Sequence, residues 1–212
     1  LTTTLTIMPG FDPKDPTPMM MMGVCYDTED KAVADAVINP FLALGAVKSN
    51  DIAVKPYAAM LQDGPPKMPF RALNQLGFVK TLTTEFMKML AGNFGQVGTP
   101  ILNMRSVGGV MNQISSDATA FAHRDSEALV AVATFSPLDS PEETAVAANQ
   151  KAWESVKPFT KGTYVNFLTD QNAGNMEAAY PVETAARLAK IKAQYDSENV
   201  FNQNHNIKPS MS

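Results

Sequence analysis

Leu129-Val130-Ala131-Val132-Ala133-Thr134-Phe135 is the most strongly strand-forming run in the chain, and Ser140-Pro141-Glu142-Glu143 follows it closely. The first run is short, apolar and partly β-branched, which reads as a strand inside a sheet. The second reads as a helix start, with Ser140 and Glu143 as a capping box and Pro141 at the first helical position. Ala145, Ala148, Ala152, Trp153 and Val156 continue that helix. Upstream, Ile101 to Met104 and Val107 to Ile114 read as two more strands, the second with a bulge or close backbone approach at Gly108-Gly109. Downstream, Tyr164 to Leu168 alternates as a strand does, and the polar stretch Thr169 to Gly174 closes it.

Further from this centre the pattern stays mixed. Thr81 to Leu90 reads as a helix carrying Leu82, Phe86, Met89 and Leu90 on one face and ending at Gly92 and Gly95. Gly77 to Lys80 and Asp51 to Tyr57 read as short extended segments. Met19 to Tyr26 reads as a buried strand. Asp27 is then expected to cap a helix through Ala32, Val33, Ala36, Val37, Phe41 and Leu44, kinked at Pro40 and stopped at Gly45. Pro9 to Pro18 is a loop by composition. The last helix starts at Pro181, buries Ala185, Leu188 and Ile191, and ends near Tyr195; Val200 to Ile207 is a polar tail. Clean strand-helix-strand crossovers are few. The expected class is therefore α+β, an antiparallel sheet with helices packed mainly on one face. Asp63 to Lys67, with Gly64-Pro65-Pro66, is a loop but not a domain boundary, because neither side makes a self-sufficient core. A single domain over 1–212 follows.

Composition narrows the function. The chain has 212 residues, 45% hydrophobic and 18% charged, with a formal net charge of -4. A mildly acidic chain without a Lys/Arg cluster argues against nucleic acid and against anionic membranes. The apolar run Met19 to Val24 is too short for a bilayer and lacks the flanks of a signal peptide. Cys25 is the single cysteine. It forms no internal disulfide, reads as a buried apolar side chain, and fits a cytoplasmic protein.

Established catalytic signatures are absent: no G-x-G-x-x-G, no P-loop, no H-E-x-x-H, no paired cysteines. His123 and His205 are not at metal-ligand spacing, so no metal is expected. Three segments carry polar chemistry. Asp117-Ala118-Thr119-Ala120-Phe121-Ala122-His123-Arg124-Asp125 sets an aromatic ring, an imidazole and a guanidinium just before the central strand, where they can meet an anionic or carbonyl oxygen. The plainer alternative is a surface pair of Arg124 with Asp125 or Asp117. Tyr164 and Asn166 share one strand face and can line a pocket, or simply wet an exposed strand. Asn202-Gln203-Asn204-His205-Asn206-Ile207 offers uncharged donors and acceptors suited to a heteroaromatic edge, or is a frayed tail.

Read in order, these segments resemble one family. Gly108-Gly109 with the 117–125 segment looks like the approach to a core strand in berberine-bridge-enzyme-like flavoproteins. Trp153 followed by Gly162-Thr163-Tyr164-Val165-Asn166-Phe167 is similar to the family's Tyr-x-Asn segment. Tyr180, Arg187-Leu188, Lys192, Tyr195-Asp196, Asn199-Val200-Phe201 and Asn204-His205-Asn206-Ile207 resemble its closing motif, about 164–209. Pro56-Tyr57 and Leu61-Gln62 fit the same pattern.

The resemblance implies a two-lobed enzyme. An N-terminal lobe of the vanillyl-alcohol-oxidase type binds FAD, often covalently. The C-terminal lobe covers the isoalloxazine and shapes a pocket for alcohols, sugars or alkaloids. A hydride passes to flavin N5, and oxygen often reoxidises the flavin. On that pattern Tyr164, Asn166 and Phe167 line the substrate pocket, with His123 and Arg124 near the lobe junction. Asn204, His205 and Asn206 meet the cofactor. Two departures bear on catalysis. Many members carry a second Tyr where Phe167 stands, and others carry a carboxylate on the strand that here is uncharged from Leu129 to Thr134, so no catalytic base is visible.

From the start at Leu1, a chain without a flavin-binding lobe of its own is expected. The expectation is a fragment or subunit that is not a competent oxidase alone and needs an FAD-binding partner. The alternative is a stand-alone, non-catalytic domain that binds a small ligand or partner. A hydrolase or metal enzyme fails for want of a nucleophile-base pair or a ligand set.

Overall fold

The computed structural model describes residues 1–10, 14–45, 47–60, 70–168 and 173–210, with the backbone alone at 173–175. The expected loops at Asp63 to Lys67 and 169–172, together with Leu61 and Gln62, lie outside the described residues. The strands are β1 (Thr2–Met8), β2 (Met19–Cys25), β3 (Phe70–Val79), β4 (Ile101–Ser106), β5 (Ala128–Pro137) and β6 (Thr160–Lys161). The helices are α1 (Lys31–Leu42), α2 (Tyr57–Met60), α3 (Thr84–Asn93), α4 (Glu142–Val156), α5 (Ala173–Ala179) and α6 (Val182–Tyr195).

The strands form one sheet in the order β2-β1-β4-β5-β3-β6, with every neighbouring pair antiparallel. Alternation along each strand sorts its side chains onto two faces. Leu5 and Ile7 of β1, Leu102 and Met104 of β4, and Val130 and Val132 of β5 point one way. They pack with Phe86 and Leu90 of α3, Phe94, and Val156, Ala152 and Trp153 of α4. The expected α+β architecture, with helices mainly on one face, is what forms. The opposite face holds a smaller cluster of Leu76, Phe78 and Leu129 under Val107, Phe121, Tyr164, Phe167 and Leu168. Burial of each large side chain in the helix-backed core stabilises the fold by about 1.5–3 kcal/mol.

Several local expectations change. β1 escaped the pattern reading because three of its first residues are threonines; Leu5 and Ile7 alone reach the core. β2 forms where a strand was expected but is not buried. It is the outermost strand, paired on one side only, and Met19 to Met22 are 41–66% exposed. Cys25 is likewise half-buried rather than interior.

Asp30, not Asp27, caps α1: its carboxylate accepts from the backbone N–H groups of Ala32 and Val33. Pro40 sits inside that helix as expected, yet α1 buries no residue, and Val33 stays exposed. Ser140 makes no side-chain cap at α4; its backbone N–H donates to Pro137 O instead, and Pro141 precedes the first turn. α6 is half-buried along Ala185 and Leu188, and Ile191 is exposed.

A buried amide ties α4 to the sheet. Asn149 is 2% exposed and donates to Val132 O at 3.1 Å and Thr134 Oγ1 at 3.0 Å, while its own Oδ1 accepts from Gln75 Nε2 at 3.1 Å. Among the described residues no helix is long and apolar enough to cross a membrane. Among the same residues no three His, Cys, Asp or Glu side chains gather as a metal-ligand set.

Candidate functional site

The chain leaving β4 meets Gly108 (φ 148°) and Gly109 (φ 60°), both in the region that glycine alone adopts freely. The backbone turns there into a 3-10 turn, Gly109–Gln113, so the strand expected over Val107 to Ile114 does not form. The long connection to β5 then carries Phe121, His123 and Arg124 across the face opposite α3 and α4.

Arg124 clamps this connection. Its guanidinium donates to Met111 O at 3.2 Å and to Thr119 Oγ1 at 2.9 Å and lies 5.3 Å from the Phe121 ring. The alternative surface pair with Asp125 is not made. Asp125 pairs with Lys161 and Lys80, and the bonded Lys161 ammonium holds its carboxyl below the usual carboxylate range.

His123 is 8% exposed. Its ring stacks on Phe78 at 4.5 Å, and its Nε2 lies 3.1 Å from Ala179 O, at the end of α5. As an N–H it donates to that carbonyl. Burial pushes its pKa down, since the charged imidazolium would lose its hydration. Gly162 (φ 56°) lies against the same ring: a Cβ built there would stand 2.1 Å from His123 Cε1. The imidazole is packed between a phenyl ring and a bare backbone.

Gly162 also explains why Tyr164 to Leu168 is not a strand. β6 lasts two residues, Thr160–Lys161, pairing with Phe78 and Val79. The positive φ at Gly162 then turns the chain off the ladder, and Val165–Phe167 closes a 3-10 turn. Thr163 fixes the departure, its hydroxyl donating to Leu76 O at 3.1 Å. Tyr164 and Asn166 still meet: Asn166 Nδ2 donates to the Tyr164 hydroxyl at 2.8 Å. Tyr164 stands edge-on to Phe121 at 6.2 Å and to Phe167 at 5.0 Å. Three aromatic rings thus make a wall over the β5–β3 part of the sheet face. Tyr180 stands close enough to Tyr164 that their phenols interact, and burial raises the Tyr180 pKa, with Tyr164 adding to it.

The structure adds a residue that pattern reading missed. Arg105 of β4 lies with its guanidinium 4.6 Å from the centre of the Phe167 ring. The signal was alternation: Ile101, Asn103 and Arg105 share one face of β4, while Leu102 and Met104 enter the helix-backed core.

The closing segment is held at its base. Asp196 accepts from the backbone N–H groups of Val200 (2.7 Å) and Phe201 (3.1 Å) and pairs with Lys192, whose Nζ also donates to Phe201 O at 2.6 Å. The bonded Lys192 holds the Asp196 carboxyl below its ordinary pKa. Arg187 of α6 donates to Asp117 O at 2.7 Å, which ties this segment to the loop that carries Phe121 and His123. Asn204 is exposed, with φ 58°. His205 Nδ1, Asn206 Oδ1 and Asn199 Oδ1 are buried polar atoms with no hydrogen-bond partner among the described residues.

A groove of about 780 Å³ runs elsewhere, along the outer edge of β3 between α4 and Gly162-Thr163. It shares Leu76 and Leu168 with the cluster under the aromatic wall but none of Phe121, Tyr164, Phe167 or Arg105. Its lining combines the strand edge with the ion-paired Arg71 and Glu142 and with Lys157 and Lys161.

Residues 163–208 match the family model for Berberine and berberine like proteins. An uncharacterised FAD-linked oxidoreductase of Bacillus subtilis is 34% identical over 103 residues, covering 49% of this chain and 23% of that protein. An FAD-linked oxidoreductase of Dictyostelium discoideum is 24% identical over 200 residues, covering 92% of this chain and 43% of that protein. Among solved structures, 6-hydroxy-D-nicotine oxidase from Arthrobacter nicotinovorans superposes with a TM-score of 0.77 at 20% identity, over 99% of this chain and 48% of that one. Berberine bridge enzyme from Eschscholzia californica superposes with a TM-score of 0.70 at 20% identity, over 99% and 49%. The closing segment, residues 163–208, is berberine-like. The chain spans less than half the length of those curated relatives and about half of each solved chain. Its fold is that of the C-terminal domains of such FAD-linked oxidases.

Proposed function

We propose that this chain is the substrate-binding lobe of an FAD-dependent oxidoreductase that passes a hydride from an organic substrate, such as an alcohol or a sugar, to flavin N5. The observation that carries the reading is the aromatic wall of Phe121, Tyr164 and Phe167, which stands over one half of a sheet face, while no ring covers the threonine-bearing half among the described residues. A polar sheet face beside a wall of rings suits a flat molecule enclosed by a second lobe. The FAD-linked relatives, all longer than this chain, support the same assignment.

When bound, FAD supplies the hydride acceptor. This chain's part is to bind, orient and exclude water. The unpartnered Asn206 Oδ1 is an acceptor, and His205 Nδ1 accepts or donates with its tautomer, so these residues fit a heteroaromatic edge that bears both N–H and carbonyl groups. Asn204, on a left-handed backbone beside them, adds an exposed amide.

Tyr164 accepts a hydrogen bond from Asn166, which leaves its own O–H to donate to a substrate oxygen. Phe167 takes part in no proton transfer and keeps water from the wall. His123 and Arg124 act through the loop they hold: both direct their polar atoms at backbone or Thr119 rather than outward.

The test is the visible spectrum and intact mass of the protein purified from its natural source. The expected result is a flavin band at about 450 nm, with a mass well above the 22.9 kDa of this chain or with a co-purifying second chain. A colourless protein of this mass alone would overturn the reading in favour of a stand-alone binding domain. In the flavin-loaded protein, Tyr164→Phe is expected to lower turnover by about tenfold or more, and Asn204→Ala to weaken flavin retention. If both variants matched the parent, the site would lie elsewhere.

A further inference from the structure

Of the four arginines in the chain, three reach across to another segment. Arg71 pairs with Glu142, Arg124 binds Met111 O, and Arg187 binds Asp117 O. Arg105 differs. It is exposed, forms no ion pair among the described residues, and has a single hydrogen bond there, from Nε to Asn103 Oδ1 at 3.1 Å on its own strand.

That bond is part of a chain, because Asn103 Nδ2 donates in turn to Thr6 Oγ1 at 2.9 Å on β1. Asn103 therefore holds the Nε edge of the guanidinium while the Phe167 ring supports its plane from 4.6 Å. A guanidinium fixed at Nε and over a ring presents its two terminal nitrogens as a fork, the arrangement that binds a carboxylate through two parallel N–H···O bonds. Thr4 stands directly across the ladder from Arg105, and Thr6 across from Asn103. Both threonines lie on the same face, since Leu5 and Ile7 between and beside them enter the helix-backed core. The seam between the aromatic wall and the hydroxyl-bearing half of the sheet is thus marked by one organised cation that forms no ion pair among the described residues.

We propose that Arg105 binds the carboxylate of an anionic, planar substrate lying against the Tyr164–Phe167 wall, so that the lobe selects acids over their neutral analogues. The proposal rests on the substrate-lobe reading and narrows its substrate class. Asn103 is the positioning residue that sets the fork, and Phe167 supplies a surface for the plane of the guanidinium and for the substrate ring. A carboxylate on the facing lobe is the other source of the same chemistry, and the experiment separates the two.

The full flavin-bearing protein that contains this chain is titrated with benzoate and with benzamide, its neutral isostere. Binding is followed by calorimetry, and flavin content is read independently from the visible spectrum. Benzoate is expected to bind at least about tenfold tighter than benzamide. Arg105→Gln is expected to abolish that preference with flavin content unchanged, and Arg105→Lys to retain part of it, since charge survives without the fork. Equal binding of the two probes to a flavin-replete parent protein would overturn the carboxylate assignment and leave the flavin reading intact. Loss of flavin or of lobe association in Arg105→Gln, with the benzoate preference unchanged, would assign Arg105 to the lobe contact and also overturn it. A colourless parent protein would fail the flavin reading alone, because the benzoate-to-benzamide ratio still reports on Arg105.

Discussion

The two faces of the sheet are built from the same strands and do opposite things. Against α3 and α4, Leu102, Val130 and Val132 meet Phe86, Leu90 and Val156 in a closed apolar layer that admits one buried amide, Asn149. On the other face, Leu76, Phe78 and Leu129 are covered by loop side chains alone, and the cover stops at Phe167 and Arg105. The difference teaches where the fold's stability comes from. The helix-backed layer carries it, which leaves the facing side free to keep rings, a guanidinium and threonines at or near the surface. Alternation along each strand makes the division possible, since a one-residue step changes the face a side chain serves.

The sharpest way to break this comparison is to truncate one ring on each face. Phe86→Ala is expected to cost about 3–5 kcal/mol of stability, because the side chain is fully buried. Phe167→Ala, half-buried at the edge of the cover, is expected to cost about 1 kcal/mol. Urea denaturation measures both, and equal losses would mean that the loop-covered face is as structural as the helical one. An effect between these two sharpens the helical side. Asn149→Ala leaves Gln75 without its acceptor and removes the donors to Val132 O and Thr134 Oγ1, for an expected loss of about 2 kcal/mol.

The smallest effect belongs to the loop-covered face and depends on pH. His123 is held neutral by burial, so its folded pKa lies below the ordinary value of about 6.5. Below that value the unfolded chain binds a proton that the folded chain resists. Stability is therefore full above about pH 6.5, falls as the pH drops through the window, and levels off once the folded pKa is passed. The lowered carboxylates, Asp125 and Asp196 among them, act below about pH 4, where their folded forms resist protonation. A denaturation series between about pH 7 and pH 5 thus isolates the imidazole, and His123→Asn is expected to flatten it. An unchanged slope in that variant would assign the pH dependence to another group.

The α+β class, the helices at α3, α4 and α6, and the strand β5 were legible because each carries a long or strongly periodic pattern. The losses have local causes. Val107 to Ile114 and Tyr164 to Leu168 both look extended, yet the first contains the positive-φ glycines Gly108 and Gly109 and the second comes just after Gly162, and a backbone turn that tight overrides strand propensity. The methionines of β2 read as buried because they are apolar. Their place at the sheet edge is a fact of topology, set by pairing with β1 far from any local signal. At the candidate site, Tyr164 and Phe167 stand in one motif, and the structure brings both rings to one wall. For Arg105 alternation gives only its strand face; its place against Phe167, which approaches from another part of the fold, was not readable.

The contact between Gly162 and His123 has an evolutionary consequence. The space that one residue lacks is the space the other fills, so the two positions form a single unit of inheritance. A relative bearing any side chain where Gly162 stands must carry something smaller than imidazole where His123 stands, or move the turn that separates β6 from Tyr164. The aromatic wall is hinged to that turn. Drift at this packed pair would therefore move the aromatic wall without altering any of its rings.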